Sequence, residues 1–391
     1  MTDKNKKAEL IEDYLKRDKL AYLNKTLSVN LNGRIEELPV YRFSTDLLTF
    51  NLENTRFEIQ KMKDERENGA IDQNTEKGRN RIKDLLLNTP NTISLSSDSK
   101  LLKEDILKHG QKEPGIITYD GAVLNGNRRL ACLLHLNDEF SDRKYRYFIA
   151  ARLPEGTSEE EMFRIEADLQ WANDFKIDYN SLNKYMMLRK AQERWHMGVK
   201  EIAQLTREKE GKVKDMIDEL RLIEEYLKNN TKNPNDFSQI WGQTENFTDA
   251  VKLIRAYKER GNAGKELTAY KKVFFWLIDE NIKNPNTIKH TDIRDITSLY
   301  GESSKILSQY QLLDKDHSSN GINNFITENR FQVIRIRDNS KPDKLVSNIL
   351  KDSTTLSGLL NTKKVDEDLL NKIRSINFII KEILERFDKD E

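Results

Sequence analysis

Residues 114–135, PGIITYDGAVLNGNRRLACLLH, leave a chain few ways to fold. Ile116, Ile117 and Tyr119 make a short apolar run that stops at Asp120-Gly121. That dipeptide favours a type I′ hairpin, in which both central residues take positive φ. Ala122, Val123 and Leu124 form the return strand. Gly126 follows, where a backbone can approach another group closely. Leu130, Leu133, Leu134 and Leu136 then recur at helical spacing. The stretch therefore reads as strand, tight turn, strand, and a Gly-Asn-Arg-Arg corner that opens straight into a helix.

Such a corner has chemistry of its own. The first turn of a helix carries unpaired N–H groups and the positive end of the helix dipole, so it favours an anion. Arg128 and Arg129 add two guanidinium forks, whose geometry suits phosphate or carboxylate. A nucleotide phosphate and a DNA backbone both fit these residues. A structural role also fits, with the arginines paired to acids elsewhere in the fold.

The order strand, DG turn, VLNGNRRLA and helix resembles the ParB/sulfiredoxin-like fold, whose signature is a strand followed by G-x-R-R or G-x-x-R at a helix start. Three more segments extend the likeness over residues 36 to 225. Leu38-Pro-Val-Tyr-Arg-Phe-Ser-Thr-Asp-Leu-Leu with Asn54-Thr-Arg56 is similar to the family's opening strand, short helix and N-x-R element. Leu102 to Gly110, followed by Gln111 and Pro114, is similar to its lead-in helix. Ile165 to Leu182 is similar to its second phosphate-contacting segment.

The resemblance implies a CTP or ATP whose phosphates are held by Gly126, Asn127, Arg128, Arg129, Gln170 and Arg56. It implies a Mg²⁺ ion and polar or catalytic contacts from Glu166 and Asp168, carboxylates being hard oxygen ligands. It also implies a dimer that changes conformation like a clamp. The chain departs from the family pattern at Ala167, Asp168 and Trp171, which stand where Glu, Asn and Arg are expected.

The expected fold class is α+β, a small mixed core followed by a mostly helical second half. Residues 1–35 are expected as an N-terminal helical extension. Within it, Leu10, Ile11, Tyr14, Leu15, Leu20 and Leu23 predict an amphipathic helix over 5–25, and Asn32-Gly33 predicts a hairpin. The core spans 36–178, with a polar helical insertion at 57–90 that carries Lys77, Arg79, Arg81 and Lys83. Residues 145–153, YRYFIAARL, read as a core strand. Residues 179–230 are helix-turn-helix-like, with Ile202, Ala203, Leu205, Val213, Ile217, Leu220 and Leu222 as the buried set.

Lys209, Lys212 and Lys214 would face DNA from the start of the second helix of that pair. Asp215, Asp218, Glu219, Glu224 and Glu225 make the same helix acidic, which opposes phosphate. From 233 to 391 a helical C-terminal domain is expected. Phe274 to Ile278 form an apolar block in it, and FQVIRIR near residue 331 reads as a strand. A final stripe from Leu369 to Leu384 suits a bundle, a homodimer contact or a protein partner.

Composition narrows the function. Charged residues make up 34% of 391 and the net charge is +1, so a uniformly basic nucleic-acid coat is excluded while a local basic face is not. The lone Cys132 permits no internal disulfide and no Cys/His metal cluster. It falls on the apolar LACLL run, which makes it a core residue and sets sulfiredoxin-type redox chemistry aside. No Walker A loop or dinucleotide fingerprint is present. With no apolar leader segment and no membrane span, the expected location is the cytoplasm.

The sequence thus points to a ParB-like DNA-binding protein with a nucleotide site, in plasmid, mobile-element or phage-defence biology. A metal-dependent nuclease or phosphotransferase, and a nucleotide-free DNA- or protein-binding module, are the competing readings.

Overall fold

The computed structural model describes residues 3–54, 57–89, 94–173, 181–259, 265–283, 288–299, 303–313, 319–338, 346, 349–354, 356 and 367–387. The chain is mixed α and β, with one six-stranded sheet in the N-terminal part and a mostly helical remainder. It divides into two compact units, Met1–Pro285 and Asn286–Glu391.

The sheet strands are β1 (Tyr22–Leu31), β2 (Arg34–Ser44), β3 (Thr49–Phe50), β4 (Gly115–Ile117), β5 (Ala122–Asn125) and β6 (Tyr147–Arg152). Their spatial order is β1-β2-β6-β4-β5-β3. β1 and β2 form an antiparallel hairpin, β6 pairs antiparallel with β2 and parallel with β4, β4 and β5 are antiparallel, and β3 lies parallel to β5.

Side chains alternate between two cores, as the two-residue period of a strand requires. Phe43, Ile117, Val123, Phe148 and Ala150 face one side. There they meet Ile11 of α1 (Asp3–Arg17), Ile82 and Leu86 of α3 (Glu76–Leu87), Ile106 of α4 (Ser97–His109) and Leu130, Leu133 and Leu136 of α5 (Asn127–Phe140). Val40, Ile116, Leu124 and Ala151 face the other side and pack on Ile165 and Leu169 of α6 (Glu159–Asn173). Each fully buried aliphatic or phenyl side chain contributes about 1.5–3 kcal/mol.

Several local expectations are met and several are corrected. Asn32 and Gly33 both take positive φ, as a type I′ turn demands. The predicted core strand is β6. The insertion forms α2 (Glu58–Asn68), ended by Gly69 at φ +78°, and then α3. The 5–25 helix stops at Arg17, and from Tyr22 the chain is β1, an edge strand that Val29 and Leu31 anchor onto the α6 side.

At Asp120-Gly121 only the glycine has positive φ. The Gly121 N–H bonds to the Thr118 carbonyl, and the Thr118 N–H and the Ala122 carbonyl close the loop, so the turn is type I with a glycine bulge, one residue longer than type I′. Thr118 selects it by accepting the Ala122 N–H on Oγ1 at 2.9 Å.

Beyond the core, α7 (Ser181–Glu193), α8 (Val199–Thr206) and α9 (Glu210–Asn230) lead to α10 (Thr244–Glu259) and α11 (Lys265–Lys283). Phe274 to Ile278 are all buried on α11. Phe274 meets the Phe247 ring edge-on at 5.2 Å, and Tyr226 of α9 meets Phe247 and Phe275.

In the second unit, FQVIRIR is helical and belongs to α14 (Ser319–Asp338), not to a strand. Ile322, Phe325, Ile326, Asn329 and Val333 are its buried positions, spaced three and four apart, and that period overrides the β-branched composition. The second unit also holds α12 (His290–Thr297) and α13 (Ser303–Leu313). The last helix, Glu367–Phe387, leaves Ile376, Ile379 and Ile380 exposed on the chain. No described helix is long and apolar enough to cross a membrane.

Candidate functional site

The corner forms because two glycines admit one ring. Gly126 precedes α5 at φ +104°, a backbone that side chains with a Cβ rarely adopt. A Cβ there would lie 2.9 Å from Phe148 Cζ, and one at Gly115 only 2.5 Å from the same atom. The fully buried Phe148 ring therefore sits against both backbones and fixes how closely β4 and the start of α5 approach β6.

Three side chains follow Gly126, each with a distinct task. Asn127 is buried, donates to the Val123 carbonyl at 2.8 Å and accepts the Asn51 N–H at 3.2 Å. It ties the end of β5 to the segment after β3. Arg129 donates to Asn125 Oδ1 at 2.8 Å, to the Pro114 carbonyl at 3.2 Å and to the Glu113 carbonyl. It cross-links the entrance of β4 to the exit of β5.

Arg128 is the least committed of the three. Its Nη2 donates to Ser99 Oγ at 3.2 Å, in the first turn of α4, and Asp98 stands 4.0 Å from Nη1. Arg128 thus lies between the starts of α4 and α5, and the first turn of α5 holds no acidic residue. Burial pulls both guanidinium groups down from their ordinary values. They remain cations at neutral pH, since arginine does not lose its proton in proteins.

The neighbouring segment is held as firmly. Asn54 Nδ2 donates to the Leu124 carbonyl at 3.3 Å. Lys190 of α7 reaches the Glu53 carbonyl at 2.7 Å and Glu58 at 2.9 Å, and Arg194 bridges Glu53 and Glu159. Arg56 lies outside the described residues, as does the side chain of Gln170 on α6.

The two α6 carboxylates do not converge. Two positions apart on a helix means about 200° around its axis. Glu166 is buried and partnered, while Asp168 is partly exposed and pairs with Arg207 at 2.8 Å. They form no two-carboxylate chelate, so this pair does not fit a shared Mg²⁺. Among the described residues no three His, Cys, Asp or Glu side chains are grouped to hold a metal ion. Trp171, on the same helix, is buried and lies 5.5 Å from the Lys184 ammonium. Cys132 is buried on α5, and burial pushes its thiol up to about 11, away from thiolate chemistry.

The segment expected to be helix-turn-helix-like contains α8 and α9. Three residues join them, with Arg207 at φ +57° turning the chain. Ile202, Ala203, Val213, Ile217, Leu220 and Leu222 are buried, and Leu205 is half-buried. Lys209, Lys212 and Lys214 are all exposed at the α9 N-terminus, and none forms an ion pair among the described residues.

Five of the six acids of α9 are engaged, while Glu210 in its first turn is exposed. Asp215 and Asp218 pair with Arg255 of α10, Glu219 accepts the Tyr185 hydroxyl, Glu224 faces Arg189 at 3.4 Å, and Glu225 pairs with Lys271 at 2.6 Å. Sequence reasoning missed these partners, which come from α7, α10 and α11. It also missed Asn51, Ser99 and the Glu113 carbonyl as neighbours of the corner. The basic run of the insertion is largely consumed, with Arg79 on the Leu48 carbonyl, Arg81 on Asp64 and Lys83 on Asp138.

No protein-family model and no curated protein matches this chain.

Proposed function

We propose that the chain is a ParB-like DNA-binding protein that contacts duplex phosphates through Lys209, Lys212 and Lys214. The observation that carries this reading is the charge distribution on α9. A helix acidic by composition keeps its lysines exposed and has five of its six acids engaged by neighbouring helices, Glu210 of the first turn being exposed. The start of α9 therefore offers an approaching polyanion three exposed lysines against the one exposed carboxylate of Glu210, and its N-terminal dipole adds to the attraction. The three-residue turn between α8 and α9 is the usual length for a helix-turn-helix, whose second helix enters the major groove N-terminus first.

The test is fluorescence anisotropy with labelled duplex DNA. Lys209→Ala/Lys212→Ala/Lys214→Ala should bind at least about tenfold more weakly than the unmodified chain at low salt, because each phosphate contact is an ion-releasing one. Equal affinity would overturn the reading.

A second reading has one observation of its own. Arg128 lies between two helix starts with one hydroxyl partner and a distant carboxylate, which suits a triphosphate of CTP or ATP. In this reading Arg128 and the first-turn N–H groups of α5 meet the phosphates, while Asn127 and Arg129 hold the corner in shape. Calorimetric titration with each ribonucleoside triphosphate, beside Arg128→Ala, tests it. Heat from one triphosphate that disappears in the variant is expected, and none from any would sink the nucleotide site. A homodimer through the exposed face of Glu367–Phe387, and a plasmid, mobile-element or phage-defence setting, complete the proposal.

A further inference from the structure

Lys212 and Lys214 have acids within reach on their own helix. Asp215 lies three residues after Lys212, Asp218 four after Lys214, and Glu210 four before Lys214. Residues at those spacings share a helix face and pair when nothing else claims them. Asp215 and Asp218 do not pair with these lysines here, because both carboxylates turn to one guanidinium from another helix. Arg255 of α10 reaches Asp215 through Nη1 and Asp218 through Nη2 at 2.7 Å. Arg221 also approaches Asp218, at 3.7 Å.

Resting on the DNA reading above, we propose that Arg255 is a positioning residue for nucleic-acid binding, which frees Lys212 for phosphate by taking its intrahelical partner Asp215. Arg255 does not touch the polyanion. Its fork spans two carboxylates one turn apart, which a lysine cannot do as well. Asp218 keeps Arg221 if Arg255 is removed, so the main consequence falls on Asp215 and Lys212.

The test uses the full chain and four proteins: the unmodified chain, Arg255→Ala, Asp215→Asn/Asp218→Asn, and the combination of all three substitutions. Duplex DNA affinity is read against salt concentration. Arg255→Ala should bind roughly three- to tenfold more weakly, and its slope of log affinity on log salt should be shallower by about 1, the value of one lost phosphate contact. Adding the two asparagines should restore both affinity and slope, which a merely structural role for Arg255 would not allow. Thermal melting checks that all four fold, as expected for pairs in which every side chain is 40% exposed or more.

An unchanged affinity and slope in Arg255→Ala, or no recovery in the combined variant, would overturn the proposal. If the unmodified chain binds no DNA, it is the functional reading that fails. The ion competition is then decided by a crystal structure of Arg255→Ala, in which Asp215 should move to within about 4 Å of the Lys212 ammonium. Asp215 remaining away from Lys212 would refute it.

Discussion

Replacing Gly126 by alanine tests how the corner is built. Gly126 sits at φ +104°, and its new Cβ would lie 2.9 Å from Phe148 Cζ and 3.2 Å from an Arg129 guanidinium nitrogen. The positive φ alone costs an alanine about 1–2 kcal/mol. The ring cannot retreat, because Phe148 is fully buried and also abuts Gly115. Overpacking of that kind adds roughly 1–3 kcal/mol. The sum is about 2–5 kcal/mol.

Gly110→Ala is the control, since Gly110 also has positive φ, +70°, but a Cβ there meets nothing within 4 Å. It should lose only the conformational part. Hydrogen exchange of peptides covering residues 114–136 reads the local opening free energy of each variant. Gly126→Ala should open these amides at least about fivefold more readily than Gly110→Ala. Equal exchange in the two would refute the claim that Phe148 sets the shape of the corner.

Other expectations are independent of that one. Arg129→Ala should destabilise the corner by about 1–3 kcal/mol in the same assay, because it strips the Asn125 amide and two main-chain carbonyls of their partner, whereas Arg128→Ala, which loses one hydroxyl bond, should cost under about 1 kcal/mol. The Cys132 thiol, raised by burial from 9.0 to about 11, contributes stability that is whole below pH 9 and lost as pH rises to 11. Denaturation of the unmodified chain should lose about 2 kcal/mol more across that window than Cys132→Ala does, by the usual conversion of pKa shift to free energy. Phe274→Ala removes the ring between Phe247 and Tyr270 and should cost about 3–5 kcal/mol by urea denaturation.

The parts of the fold legible in sequence were those written in local chemistry. Gly126 before an apolar helical run marks the corner, Asn32-Gly33 marks the first hairpin, and the YRYFIAARL run marks β6. The misreadings arose where two local signals competed. Leu20 and Leu23 continue the period of α1, yet the chain turns after Arg17 and Tyr22 enters the sheet. FQVIRIR is β-branched, yet Ile326, Asn329 and Val333 keep a helical period.

The site was half legible for a different reason. Two arginines at a helix start announce an anion or a structural brace, and sequence cannot say which. Arg129 meets the Glu113 and Pro114 carbonyls only because β4 and β5 are neighbours. The helix α9 shows the same limit. Its six acids argue against phosphate when counted, and no local pattern reveals that Arg255, Lys271, Arg189 and Tyr185 engage five of them across the fold.

The most direct measurement is ultraviolet cross-linking of the chain to duplex DNA carrying bromodeoxyuridine, with the linked peptides mapped by mass spectrometry. Cross-links in residues 207–214, at the turn between α8 and α9 and the start of α9, are the predicted result. Cross-links confined to other surfaces, or none at salt low enough for phosphate contacts to hold, would contradict it.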